Sequence, residues 1–179
     1  MNFIDLISGQ LEKIVIEKTA ELYCQVWKEP PWNEDFWIAS EVQKDMEREF
    51  TKKNANAVFA LDERSGAVCG FSWGYEVSKK EMQAISNGHI LDDFLDDRER
   101  YFYIDELGVD SRYRTKGIGR KISEWLIESA RRNDFVKILL RTNEKALPAR
   151  FLYAKLGFKE LLARDAKFSE RTYWILDSL

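Results

Sequence analysis

The sequence predicts a mixed α/β fold: a mostly antiparallel central sheet with helices on both faces. Three observations carry that prediction. Residues 101–109, rich in aromatic and branched side chains, run through a short basic turn into a long amphipathic helix over 117–133. Two apolar runs, 57–61 and 67–75, flank Asp62-Glu63-Arg64-Ser65-Gly66 and read as a hairpin, with Gly where a turn takes positive φ. Strand-like and helix-like segments then alternate to the end of the chain, which is how layered α/β structures are written.

The elements follow in order. Residues 11–27 read as a helix, with Leu11, Val15, Leu22 and Val26 on one face and Ile14 and Cys24 near its edges. The alternation Ile14-Val15-Ile16 fits a short strand as well. Glu29-Pro30-Pro31-Trp32-Asn33 ends the segment, because two successive prolines cannot continue a helix. Asn33 reads as the N-cap of a second helix, 34 to about 53, with Phe36, Trp37, Val42, Met46 and Phe50 on its apolar side. After the hairpin, 78–100 is a polar, acidic excursion with short helices around Ile85 and 90–95. In the helix 117–133, Ile118, Ile122, Trp125, Leu126 and Ala130 share a face. Residues 135–142 form the next strand, parallel to 101–109 if the two are joined by a right-handed crossover. Pro148 suits the first turn of a helix ending at Leu156, and Gly157 suits its C′ position. Residues 158–163 and 171–176 are closing strands.

The totals set limits. One hundred and seventy-nine residues, 45% hydrophobic and 33% charged, suit one globular domain over 1–179. A net charge of −3 argues against nucleic acid as a partner. Cys24 and Cys69 lie in apolar runs without metal-ligand spacing, and His89 is the only histidine, so no metal is expected. Residues 1–10 lack the layout of a signal peptide, and no apolar run reaches transmembrane length. A soluble cytoplasmic protein without a membrane partner is the expectation.

The turn after 101–109 carries the chemistry. Gly117 and Gly119 let backbone approach a ligand, and the helix that starts there offers free N–H groups at its positive end. That is an anion site, with Arg112, Arg114, Lys116, Arg120 and Lys121 around it. It has neither the three glycines of a dinucleotide fingerprint nor the Gly-Lys-Ser/Thr of a P-loop.

Arg114-Thr115-Lys116-Gly117-Ile118-Gly119, preceded by Leu107-x-Val109, resembles the acyl-CoA pyrophosphate loop of the GNAT superfamily of N-acetyltransferases. Downstream, Phe151-Leu152-Tyr153-Ala154-Lys155-Leu156-Gly157-Phe158 is similar to that family's second hallmark, a helix ending in Tyr-x-x-x-Gly-Phe. The clear resemblance covers about 101–158. It implies a GNAT-like sheet in which strands 101–109 and 135–142 splay apart. It implies acetyl-CoA as co-substrate and a small-molecule or peptide amine as acceptor, attacked directly in a ternary complex. The pyrophosphate would lie on the amides of Thr115, Lys116, Gly117, Ile118, Gly119 and Arg120, with Arg114 and its neighbours screening charge. Pantetheine would pair with the edge Leu107, Gly108 and Val109, where Gly108 could mark a bulge. Tyr153 takes the position of the family's general acid. Asp105 or Glu106 would be the base, and simple alternation sends them to opposite faces, so that one reaches the acceptor. The family often has Asn seven residues before the tyrosine. Here Ala146 stands there, and Asn143 is the candidate substitute. The segment 30–37, aromatic and acidic, would border an acceptor site suited to a cation. The acidic residues of 92–97 could attract a cation or form a plain solvated face. Other readings stay open: a non-catalytic acyl-CoA sensor on the same fold, or a nucleotide-binding module. A homodimer is compatible with the sequence, which does not fix the oligomeric state.

Overall fold

The computed structural model describes the backbone of residues 2–6 and the whole of residues 13–165 and 167–177. Helix α1 (Lys13–Lys28) buries Val15, Leu22, Tyr23 and Val26, so 14–16 are helical and not a strand. Leu11, expected in its first turn, lies outside the described residues. The helix stops ahead of Pro30-Pro31, and the predicted second helix is delayed. Residues 33–38 form neither helix nor strand, and α2 (Ala39–Glu49) follows Ile38, which offers no side-chain cap. Asn33 is therefore not an N-cap. Its φ of 53° is left-handed, where a capping residue is extended. The segment is held by side chains: Trp37 Nε1 donates to Glu34 Oε2 at 2.7 Å, and the Trp37 ring meets Tyr23 edge-on at 5.3 Å.

The sheet is β1 (Asn2–Leu6), β2 (Asn56–Leu61), β3 (Val68–Ser78), β4 (Arg100–Val109), β5 (Lys137–Asn143), β6 (Lys159–Arg164) and β7 (Arg171–Asp177). Their spatial order is β1-β2-β3-β4-β5-β7-β6. Strand β1, which no sequence signal marked, pairs antiparallel with β2 from Asn2↔Leu61 to Leu6↔Ala57. All neighbours are antiparallel except β4 and β5, which are parallel. That pair is joined through α4 (Ile118–Arg132), as expected of a crossover. Helix α3 (Lys79–Ile85) starts on a capping box between Ser78 and Glu81. Helix α5 (Leu147–Lys155) has Pro148 in its first turn, and Gly157 follows its C-cap at φ 93°.

Helices cover both faces. On one, α4 buries Ile118, Ile122, Leu126 and Ile127 against Val58, Phe102, Ile104, Ile138 and Leu140. Each such side chain contributes on the order of 2 kcal/mol of transfer free energy. On the other, α1 and α2 pack on Phe59, Phe71 and Trp73, while α3 and the excursion pack on Tyr75, Tyr101 and Tyr103. The acidic side chains of the excursion keep to the surface. Lys79 bridges Asp92 and Asp97, and Arg98 pairs with Asp96.

The predicted splay is present. β4 and β5 pair only at Phe102↔Ile138, Tyr103↔Leu139 and Ile104↔Leu140. Beyond Ile104 and Leu140 the two strands continue without pairing. The cleft between them positions the candidate site.

Candidate active site

Strand β4 changes character at the point where the cleft opens. Opposite β3, Gly74 faces Ile104 and Trp73 faces Glu106, so Asp105 is an extra residue, a β-bulge. The side-chain parity of β4 reverses there. Before the bulge, Phe102 and Ile104 point to the α4 face, and after it Leu107 and Val109 do. Asp105 and Glu106 therefore do not point to opposite faces, as plain alternation predicts. Both line the same cavity. Ser72 Oγ donates to the Glu106 carbonyl at 2.7 Å and satisfies the backbone beside the bulge. Gly108 is not the bulge. It stands in register with Phe71, and a Cβ there would lie 2.3 Å from that ring, so the aromatic fixes the glycine.

The cavity has a volume of about 480 Å³. One wall is aromatic: Tyr23, Trp27, Trp32, Phe36 and Trp37. Tyr23 and Trp27 stack at 4.5 Å, and Trp27 stacks on Trp32 at 6.0 Å. The floor is Asp105, Glu106 and Leu107 of β4 with Arg141 and Thr142 of β5, and the far side holds Ala146, Ala149 and Tyr153. The sequence thus brings Tyr153 and both carboxylates of β4 to one space.

A second cavity, of about 160 Å³, lies behind the first. The two share Tyr23, Trp37, Asp105, Glu106 and Arg141. Glu49, Asp45, Met46 and Trp73 line only the smaller.

Three carboxyls meet at this junction, and each takes a hydrogen bond from an aromatic side chain. Tyr23 donates to Glu106 Oε1 at 3.1 Å, Tyr75 to Asp105 Oδ2 at 2.7 Å, and Trp73 Nε1 to Glu49 Oε2 at 2.8 Å. Glu49 and Asp105 both line the smaller cavity, and the neighbouring Asp105 carboxyl favours a proton on Glu49. Burial, then the charge of Asp105, push Glu49 up to about 7. Burial, then the charges of Asp105 and Glu49, hold Glu106 well above the usual carboxylate range; Arg141 and the Tyr23 hydroxyl oppose them. Arg141 is anchored by donation from Nη1 to the Ile85 carbonyl at 3.1 Å. Burial, then the charge of Glu106, raise Tyr153, whose hydroxyl stays protonated at neutral pH. Its ring packs on Phe158 and Trp174 at 6.0 and 6.3 Å.

Tyr23, Glu49 and Arg141 were not singled out from sequence, yet each left a signal. Glu49 lies seven residues after Val42 and three after Met46, a carboxylate in the apolar stripe of α2. Arg141 interrupts the buried run Ile138-Leu139-Leu140. Tyr23 places a phenol on the buried face of α1.

The glycine loop lies at the open end of β4. Asp110 accepts from the Arg112 amide and begins a 3-10 turn, Ser111–Tyr113. Thr115 and Gly117 are both left-handed, at φ 63° and 79°. Gly117 is the N-cap of α4 and supplies no side-chain cap; its carbonyl accepts from the Lys121 amide at 3.1 Å. The amides of Ile118, Gly119 and Arg120 precede it, without intrahelical acceptors. Gly119 packs close to Val109 and Leu152, which joins the loop to the β4 edge and to the helix of Tyr153. The surrounding cations have protein partners. Arg112 pairs with Asp110, Arg114 with Glu29 at 2.5 Å and with the Val109 carbonyl at 3.1 Å, and Arg120 with Glu124 at 2.8 Å. Lys116 donates to the Arg112 carbonyl at 3.2 Å and sits over the Tyr113 ring. Asn143 is buried, and its Oδ1 accepts from the Lys145 amide at 2.9 Å, which shapes the entry to α5. Among the described residues no group of three or more His, Cys, Asp or Glu is arranged to hold a metal ion. None of their helices is long and apolar enough to cross a membrane.

Residues 18–158 match the family model described as "Acetyltransferase (GNAT) family". The chain belongs to that family, and so to the acyltransferase class of enzymes. The fold is shared with solved acetyltransferases. A GNAT acetyltransferase from Staphylococcus aureus Mu50 is 14% identical with a TM-score of 0.70, over 99% of each chain. An aminoglycoside 6′-N-acetyltransferase complexed with coenzyme A is 16% identical with a TM-score of 0.67, over 100% of this chain and 98% of that one. A chain of the NatC complex bound to Gag peptide and CoA is 17% identical with a TM-score of 0.70, over 99% of each. No curated protein matches the sequence.

Proposed function

We propose that the chain, as one domain, transfers the acetyl group of acetyl-CoA to a primary amine by direct attack in a ternary complex. One observation carries the reading: the Tyr153 hydroxyl and the Glu106 carboxyl share a cavity between the splayed β4 edge and an aromatic wall. Two of the solved acetyltransferases of this fold carry coenzyme A; one is named an aminoglycoside 6′-N-acetyltransferase and the other is bound to a peptide, which is consistent with an amine acceptor.

The donor's pyrophosphate would take the amides of the Thr115–Arg120 loop, where two left-handed residues and an uncapped helix start already form a cradle. Arg120, with its side chain 69% exposed, is held to Glu124 by a surface pair weak enough to turn toward a phosphate, whereas Arg112 is tied to the buried Asp110. The pantetheine amides would add to the edge Leu107–Val109, which has no strand partner on the β5 side. Asn143 is engaged with the backbone ahead of α5, so we assign it no contact beyond shaping that side of the cleft.

Bound there, the thioester supplies the acetyl group. The chain supplies the proton handling. Glu106 is the base: its burial raises its affinity for a proton, and an arriving ammonium stabilises its charged form. Glu106 and not Asp105 acts electrostatically on Tyr153, whereas Asp105 takes the hydrogen bond of the Tyr75 hydroxyl. As the N–C bond forms and the C–S bond breaks, Tyr153 gives its proton to the leaving sulfur, and the second proton of the nitrogen restores the Tyr153 hydroxyl. The aromatic wall suits a cationic acceptor through ring faces as well as charge.

Thiol release from acetyl-CoA over a panel of amines tests the reading. Transfer to at least one amine is expected. Binding of CoA without turnover on any amine would favour the sensor reading, and no binding at high micromolar concentration would defeat both. Tyr153→Phe should lower kcat about 100-fold with donor KM within threefold of wild type. Glu106→Gln should lower kcat/KM for the amine about 100-fold or more and flatten the acidic limb of its pH profile. That limb reports loss of the base as pH falls through its raised pKa.

A further inference from the structure

Each turnover leaves one proton to dispose of. An ammonium gives up two on becoming an amide, the thiolate takes one, and one must reach solvent. The larger cavity is where donor and acceptor would sit, so water has little room on that side of Glu106. The smaller cavity lies on the other side of the same carboxyl.

We propose that Glu49 is the exit for that proton, a positioning residue that acts through Asp105 and Glu106 and discharges into the 160 Å³ cavity. The inference rests on the transferase reading above. The path has three steps, and charge balances at each. The ammonium N–H proton goes to the Glu106 carboxylate. Glu106 passes it to the Asp105–Glu49 pair, which lines the same smaller cavity as Glu106. Glu49 then releases a proton to water in the smaller cavity, and Glu106 is again a carboxylate.

The surroundings fit a relay better than a packing role. Trp73 Nε1 fixes one Glu49 oxygen at 2.8 Å, and Lys52 Nζ lies 3.7 Å from the other. The Glu49 and Lys52 side chains are 17% and 38% exposed, so the path ends at the surface. The groups that face Glu49 come from every element around it: Asp45 on its own helix, Lys52 after it, Trp73 and Tyr75 on β3, Asp105 and Glu106 on β4, Arg141 on β5 and Tyr23 on α1. An ionisation brought near neutrality also lets Glu49 give and take a proton within one cycle.

The test uses the full chain with Glu49→Gln, which keeps an oxygen for Trp73, beside Glu49→Asp and Glu106→Gln. Rapid quench should show a first turnover of Glu49→Gln within threefold of wild type. Steady-state kcat should then fall at least tenfold, with both KM values within threefold. Added imidazole should restore kcat of Glu49→Gln and leave Glu106→Gln unchanged. Glu49→Asp should recover kcat to within threefold of wild type. The proposal is overturned by a wild-type kcat in Glu49→Gln, by an equal loss in the first turnover, by no response to imidazole, or by a rise confined to acceptor KM. No transfer by the wild type would bring down the transferase reading and this inference with it, whereas an active Glu106→Gln would leave transfer standing and remove Glu106 as the base, and the relay with it. An inactive Glu106→Gln beside an unimpaired Glu49→Gln would sink the relay alone.

Discussion

Gly108 shows how much one missing methyl can decide. A Cβ at this position would sit 2.3 Å from Phe71 Cζ, and Phe71 is fully buried among aromatic neighbours that cannot step aside. Gly108→Ala is expected to cost about 2 kcal/mol or more in chemical denaturation. Combining it with Phe71→Leu should give a loss smaller than the sum of the two, because the single clash is then removed. A strictly additive pair would mean that strain lies elsewhere. The same scale explains what could be read from sequence at the site. Tyr153 was legible because it sits in a linear pattern with Gly157 and Phe158. Tyr23 and Glu49 were not, because their roles arise only when α1 and α2 bring them against β4, some 50 to 80 residues away in the chain.

At the level of elements, the loop between β4 and α4 is built on backbone conformation. Gly117 has φ 79° and nothing within 4 Å of where a Cβ would stand, so glycine is needed for the dihedral and not for space. Gly117→Ala should cost about 1–2 kcal/mol of stability. It should also raise the donor Kd, as read by calorimetry, while leaving the acceptor cavity intact. Strand and helix periodicity located this loop, its flanks and the parallel pair β4–β5, since each is written in consecutive residues. The bulge at Asp105 was invisible, because it exists only in the register between β3 and β4. The stretch 33–38 misled for a related reason. Its apolar residues have helical spacing, but Trp37 is drawn to Tyr23 and Glu34 instead. Strand β1 offered too short a run to stand out, and pairs with β2 through its backbone.

For the molecule as a whole, the carboxyl cluster makes stability depend on pH. Glu49 ionises at about 7 in the fold, above its ordinary 4.5, so the folded state favours the protonated form. That contribution is complete below about 4.5 and is lost as pH rises through about 7. Glu49→Gln should therefore be more stable than wild type at pH 8, by up to about 3 kcal/mol, with the gap closing toward pH 4.5. Denaturation at a series of pH values checks this, and a gap that stays constant with pH would contradict it. The arrangement of rings around the site has an optical consequence. Four of the six tryptophans, Trp27, Trp32, Trp37 and Trp73, stand at the two cavities, while Trp125 of α4 and Trp174 of β7 belong to the core on the α4 face. Intrinsic emission is thus weighted toward the place where an acceptor would lodge. An amine entering there should shift or quench it, so the protein carries an unlabelled reporter with which candidate acceptors can be screened by titration.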